Sequence, residues 1–438
     1  REDAVATFGP AVGALWQPGA YFDHEQEVYG ERPLAWETIL GLNGGTETTR
    51  YNLSGLLKDD GGIIANTGYR KQSITSGLDQ LFGDRVSVRV TANALSTRTG
   101  RGFTNNDNRG VALGQALGRS PSFVDLRRRA DGTFPTNPAA QSNPLQTAAL
   151  SRNDEVVYRF IGSGNVSYDA LRSARQTLKL VANGGTDFFN QRSNIYSPPD
   201  LQFEPLDGLP GTAVRSNAQN LNMNVNVGAV HTWRSAGGGV QATTSLGHQY
   251  EQRGLDNTRV VAQNLIGGLD NVGRGTAVSV AQDVAKTRDV GIYLQEELLA
   301  FGERLFVSGG FRADRSSNNS DPQRYYYFPR ASASWRFPAM PGALDELKLR
   351  AAVGRSGNQP VFGQSFTEFL GANIAGLPTI EIGPGAQVAA SDLRPEIQNE
   401  FESGADLTAF GGRAALEVSW YQKTISDLLV TGTLANST

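Results

Sequence analysis

The side chains that could do chemistry are few and poorly spaced for it. The three histidines, His24, His231 and His248, are scattered, and none stands in a metal-ligand spacing. His231 shares the apolar parity of its run near Trp233, which points to an interfacial position rather than a ligand role. Glu296 and Glu297 are adjacent, so in a strand they point to opposite faces and do not make a paired general acid and base. "NNDNRG" (105 to 110) and "ADGT" (130 to 133) offer oxygens to calcium but lack its full ligand pattern, and turn chemistry explains them better. "LRRRADG" (126 to 132) sets three arginines in a row. They could meet anionic lipopolysaccharide or a partner lobe, although a solvated loop is the default. The absence of cysteine excludes a disulfide framework, thiolate metal sites and thiol nucleophiles. No catalytic residue, metal site or cofactor is expected, and the chain does not read as an enzyme.

The elements that carry these residues read as β-strands. Mean hydropathy is −0.34 and no run of about 18 uncharged apolar residues occurs, so no transmembrane helix is present. A membrane β-barrel is not excluded, because each of its strands gives a weak signal. Net charge is −3, which makes no electrostatic case for nucleic acid. In "YYFPRASASWRF" (326 to 337), Tyr327, Pro329, Ala331, Ala333, Trp335 and Phe337 alternate with Phe328, Arg330, Ser332, Ser334 and Arg336. Ten residues separate Tyr327 from Phe337, and ten separate Tyr158 from Tyr168 in "YRFIGSGNVSY". At ~3.3 Å per residue and a tilt of about 40°, that length spans roughly 25 Å, the height of the apolar band on an outer-membrane barrel. "NLNMNVNVGAV" (220 to 230) sets Leu221, Met223, Val225, Val227 and Ala229 against asparagines, which suit a watery lumen and not lipid.

About fourteen such runs follow one another, from 36–43 to 414–425, and among them are 176–188, 220–233, 240–250 and 288–299. Their connections alternate. Short turns such as "GGTE" (44 to 47), "DALRSAR" (169 to 175), "AFGE" (300 to 303) and "FPAMPGALDE" (337 to 346) alternate with long segments at about 96–154, 189–219, 251–287 and 356–398. The expected fold is an all-β antiparallel transmembrane barrel with short periplasmic turns and long extracellular loops. Aromatic girdles fit it. Tyr168, Trp233, Trp335, Phe337 and Phe410 lie toward the short turns, and Trp36, Tyr69, Tyr158, Tyr250, Tyr327 and Tyr421 toward the long loops.

Several stretches, in order, resemble the barrel of SusC/RagA-type TonB-dependent outer-membrane transporters. They include "LGLNGGTETTRYNLSGLLKDDGGII", "SNPLQTAAL" followed by "VVYRFIGSGNVSYDAL", "YLQEELLAFGERLFVSGGFRADRSS", "YYYFPRASASWRF", "LKLRAAVGRSGNQ" and "LRPEIQNEFESGADLTAFGGRAALEVSWYQKTISDLL". The resemblance implies a barrel of about 22 strands, an N-terminal plug, a segment that engages TonB, and a SusD-like surface lipoprotein. Neither plug nor TonB segment is matched here. Residues 1–35 are therefore expected to be an extracellular loop region leading into a partial barrel at 36–438. The implied function is TonB-energised import of a large nutrient, a glycan or peptide oligomer, through the bacterial outer membrane. In such a transporter the loop aromatics Trp16, Tyr21, Phe103, Phe134, Tyr196, Phe362, Phe366 and Phe369 are candidates for contact with substrate or partner. A passive pore or surface-binding barrel and a soluble β-rich glycoside hydrolase are the alternatives.

Overall fold

A computed structural model describes residues 1–104, 110–338, 344–382, 388–390, 392–430 and 432. Its main body is one 14-stranded antiparallel sheet whose strands follow in chain order, the one skip being a hairpin between the twelfth and thirteenth strands of the sheet. The strands β1 (Trp36–Gly45), β2 (Thr49–Gly61), β3 (Gly68–Phe82) and β4 (Val86–Gly100) begin it. The five longest follow: β5 (Arg152–Arg172), β6 (Gln176–Ser197), β7 (Thr212–Arg234), β8 (Val240–Leu265) and β9 (Gly275–Ala300). Next come β10 (Leu305–Ser316), β11 (Tyr326–Pro338) and β12 (Leu344–Asn358). A separate hairpin, β13 (Leu370–Ile374) and β14 (Leu377–Glu381), precedes β15 (Glu396–Ala409) and β16 (Ala414–Ser426), and β12 pairs directly with β15. Among the described residues β1 and β16 do not pair with each other, so the sheet is open along those two edges.

Register shows why this sequence makes this sheet. From Trp233 one row of facing residues runs through Ala242, Leu298, Val307, Ala333, Ala351, Ser403 and Trp420. The adjacent row runs from Thr232 through Thr243, Glu297, Ser308, Ser332, Ala352, Glu402 and Tyr421. Because side chains alternate, the first row belongs to an apolar face and the second to a polar one. Val225 lies two rows-of-face apart from Ala229 on the apolar side, and Asn224 on the polar side. Large apolar side chains on the first face stay open to the surroundings: Leu40 is 73% exposed, Ile74 61% and Val353 54%. A continuous apolar sheet face of this extent needs a hydrophobic medium against it. We call it the outer face.

The connections sort by end. Short turns at 46–48, 83–85, 173–175, 235–239, 301–304 and 410–413 lie at one end. The turn between β11 and β12, at 339–343, lies outside the described residues. In the last turn Phe410, Gly411 and Gly412 all take positive φ, which explains the paired glycines there.

The opposite end differs from the sequence reading in two places. Segments 189–219 and 251–287, read as loops, are mostly strand, because β6 to β9 continue to Ser197, Thr212, Leu265 and Gly275. At 26 residues each, β8 and β9 would extend about 85 Å, far beyond an apolar band. In the extensions of β6, β7 and β8 polar residues stand on both faces, so the two-residue hydrophobic period fades while the hydrogen-bond ladder continues. On β9 the period persists at Val278, Val280 and Val284, all exposed. Sequence periodicity is blind to strands of the first kind.

Four short helices also stand at this end: α1 (Glu2–Gly13), α2 (His24–Tyr29), α3 (Leu113–Arg119) and α4 (Pro144–Leu150). The region before Trp36 is thus partly helical. An apolar cluster of Val28, Ile64 and Leu113, with Tyr29, Leu117, Leu145 and Ala148 against it, joins the N-terminal segment to the β2–β3 and β4–β5 connections. Asn143 caps α4 by accepting from the amides of Leu145 and Gln146, and Pro144 occupies the first turn.

Candidate functional site

Two surfaces could serve a function, the polar inner wall and the long-connection end. The inner wall carries cross-strand ion pairs. Arg89 meets Asp79 at 2.5 Å, Arg253 meets Asp289 at 2.9 Å and Arg159 donates its Nε to Asp187 at 2.8 Å. Arg350 is the centre of the largest group: it bonds Glu402, approaches Asp406 at 3.3 Å and Glu417 at 2.8 Å, and donates to Ser419. Its guanidinium lies across Gly404, where an added Cβ would come within 2.8 Å of Arg350 Cζ. These pairs hold a charged, hydrogen-bonding surface in fixed geometry, suited to water and polar solutes. Sequence reading missed them. The signal was present as Arg, Asp and Glu recurring on one parity, but the partner strand had to be known before any pair could be named.

Glu296 stands on the outer face and accepts from Thr244 Oγ1 at 2.6 Å, while Glu297 faces inward beside Gln295. His24 is buried, with Nε2 2.9 Å from the Val124 carbonyl oxygen and Nδ1 3.3 Å from Glu27. It holds loops together. Of the arginine run, Arg127 pairs with Asp125 at 2.8 Å and lies over the Phe22 ring at 4.7 Å, and Arg128 donates to the Gly132 carbonyl. The Arg127 hydrogen bond holds the Asp125 carboxyl at about 2. Asp131 accepts from the Thr133 amide and hydroxyl, which lowers its pKa, as in an ordinary turn. Residues 105–109 of "NNDNRG" lie outside the described set.

At the long-connection end a buried amide network makes one body of two loops. Asn143 donates to the Leu126 and Pro135 carbonyls, and Asn137 donates to Ser120 Oγ and the Ser142 carbonyl. Gln146 reaches the Asp200 carbonyl at 2.7 Å, and Gln202 bonds the Asn137 and Ala140 carbonyls. Buried amides satisfied in this way rigidify what they join. The 198–211 connection is closed by buried Glu204, whose carboxylate accepts from Ser197, Thr212 and the Gly211 amide. Burial pushes its pKa up.

The eight loop aromatics divide. Tyr196 packs on the small cluster of Ala213, Ala262 and Leu265 under Arg152, a structural position. Trp16, Phe103 and Phe134 are half-buried among the loops. Tyr21, Phe362, Phe366 and Phe369 are presented outward. Phe362 and Phe366 meet edge to face with centroids 5.3 Å apart, and Phe369 leads into the separate β13–β14 hairpin. Ile374, Leu377 and Ile380 on that hairpin are all about two-thirds exposed, at 68%, 70% and 67%. An isolated hairpin with this much bare apolar surface suits contact with another molecule.

Of the girdle aromatics, Trp36, Tyr158, Tyr168, Trp233, Tyr250, Tyr327, Trp335 and Phe337 stand on the outer face. Trp335 meets Phe301 at a tilt and Phe337 edge to face near the short turns. Two assignments need correction. Tyr69 faces Asp60 and Thr99, and Tyr421 faces Glu402, all on the inner parity. Both were placed by their distance along the strand, which says nothing about the face. Phe410 belongs to the turn after β15.

A meandering antiparallel sheet with an apolar outer face, an ion-paired inner wall and its folded loops at one end defines an outer-membrane-type barrel wall. Comparison with known proteins agrees. Residues 89–438 match the family described as TonB dependent receptor-like, beta-barrel, and the chain belongs to that family, whose members are outer-membrane receptors and transporters. It is 22% identical over 463 residues to TonB-dependent receptor P26 of Formosa agariphila, covering 100% of this chain and 44% of that protein. With TonB-dependent receptor P3 of the same organism it shares 22% identity over 450 residues, covering 98% of this chain and 43% of the relative. The chain therefore spans less than half the length of these curated relatives. Its fold matches the structure of the RagAB peptide transporter with a TM-score of 0.73 at 16% identity, over 99% of this chain and 50% of the other. The likeness to SusC/RagA-type barrels read from the sequence is thereby shown.

Proposed function

We propose that this chain forms part of the barrel wall of an energised importer of large nutrients in the bacterial outer membrane. The carrying observation is the pairing of a charged inner wall with a rigid loop body and a bare aromatic-aliphatic hairpin at the same end as the long connections. The long-connection end is then extracellular and the short turns periplasmic. Cargo would be an oligomer, a peptide on the likeness to RagAB or a glycan, first held by the loops and by a surface lipoprotein of the SusD kind. TonB would act through a plug carried elsewhere in the parent protein.

The test replaces Phe362, Phe366 and Phe369 by serine in the intact gene. Uptake of labelled oligopeptides and oligosaccharides, co-purification of the lipoprotein and heat-modifiable mobility are read together. Capture is expected to fall while the barrel stays folded. Unchanged uptake and unchanged lipoprotein recovery would remove these residues from the capture surface.

A further inference from the structure

We propose that the outer face across β3 to β6 binds a phosphorylated anionic lipid of the surrounding leaflet. This rests on the outer face meeting the bilayer. One row of that face runs Asp59, Arg70, Arg98, Val156, Arg192. Arg70 and Arg98 stand directly opposite each other on paired strands, an arrangement that like charges disfavour. Asp59 answers only Arg70, at 2.9 Å. Arg98 and Arg192 are exposed and, among the described residues, their side chains have neither a hydrogen-bond nor an ion-pair partner. Two strand spacings separate them, about 10 Å at the backbone. Asp154 lies one row further from the band and pairs with neither.

Directly below this row the face changes character. A groove of about 370 Å³ opens there, lined chiefly by Ile74, Ala94, Tyr158, Phe160 and Phe188. Ala94 and Ser96 form a low floor between the larger Ile74, Tyr158 and Phe160, so it has the form of a trough. Charge and apolar lining are thus stacked along the strands in the order of a lipid entering from the outer leaflet: phosphate at the arginines, acyl chain along the trough. A solvated polar rim would account for the arginines alone. It gives no reason for the opposed arginine pair to sit over an apolar trough, and an anionic headgroup does.

The full-length parent protein is reconstituted in phosphatidylcholine nanodiscs containing diphosphoryl lipid A, and retained lipid is measured by native mass spectrometry after exchange. The Arg98→Gln/Arg192→Gln variant is expected to retain the lipid about tenfold less well, because each arginine near a membrane surface contributes on the order of a few-fold. Arg259→Gln, on the inner parity of β8, is expected to change nothing. Equal retention by the double variant, or an equal loss in Arg259→Gln, overturns the site. Displacement by free inorganic phosphate at matched concentration overturns the lipid assignment, since phosphate alone gains nothing from the trough. Heat-modifiable mobility of the same samples reports the barrel itself, so a failure of the membrane reading is visible separately.

Discussion

At the residue scale the two faces should respond unequally to the same change. Val225 stands on the outer face between Gly184 and Tyr250, and Asn224 on the inner face between Gly185 and Glu251. In the full-length protein Val225→Arg is expected to cost about 2–4 kcal/mol of folding stability in bilayers. Asn224→Arg should cost far less. Denaturant titration in liposomes checks the pair, and equal costs would reverse the assignment of faces. Glu204 supplies a pH dependence of definite sign. Its folded pKa lies above the ordinary carboxylate value because burial disfavours the charged form. Its contribution to closing the 198–211 connection is therefore complete below the ordinary value and lost as pH rises through the raised one. Amide exchange at Gly211, corrected for intrinsic rate, should speed up over that interval, and constant protection would show that the hydrogen bonds from Ser197 and Thr212 dominate instead.

At the element scale the loop body and the sheet should separate. Asn143→Ala removes the α4 cap and leaves the Leu126 and Pro135 carbonyls without their donor. A local loss of about 1–3 kcal/mol is expected, confined to 110–150 and the 198–211 connection joined to it through Gln146 and Gln202. Hydrogen exchange should rise there while β5 to β9 remain protected. Spread of the effect into those strands would mean that loops and sheet fold as one unit. The "SNPLQTAAL" stretch falls inside a segment read as a long loop, although Asn-Pro before an apolar run is a helix-start signal that locates this cap. The carbonyls that Asn143 also serves are 17 and 8 residues away in sequence, and no local pattern points to them.

For the whole molecule, an alternating meander makes the two ends distinct. Protease added to intact cells is expected to reach the connections at 110–150 and 198–211 and to leave the 173–175 turn intact, as mapped by mass spectrometry of the fragments. Cleavage of that turn on sealed cells would invert the topology. The folded amide network should slow cleavage of the long connections, and Asn143→Ala should restore it.

What the sequence determined by itself is the part governed by local chemistry and by period. The outward sets on β5 and β11, the order and number of sheet strands and the short turns all follow from side-chain alternation and glycine in tight turns. Wherever one face meets an apolar medium and the other water, a two-residue repeat is written into the chain. Tertiary structure alone decided the rest. Strands β6 to β8 run on where polar residues occupy both faces and the repeat fades, and β9 runs on beside β8 to complete that pairing. Tyr69 and Tyr421 turn inward because register, and not position along a strand, assigns a face. Arg350 gathers Glu402, Asp406 and Glu417 from β15 and β16, and Arg98 is set against Arg70 and near Arg192, because hydrogen-bonded pairing places residues far apart in sequence side by side.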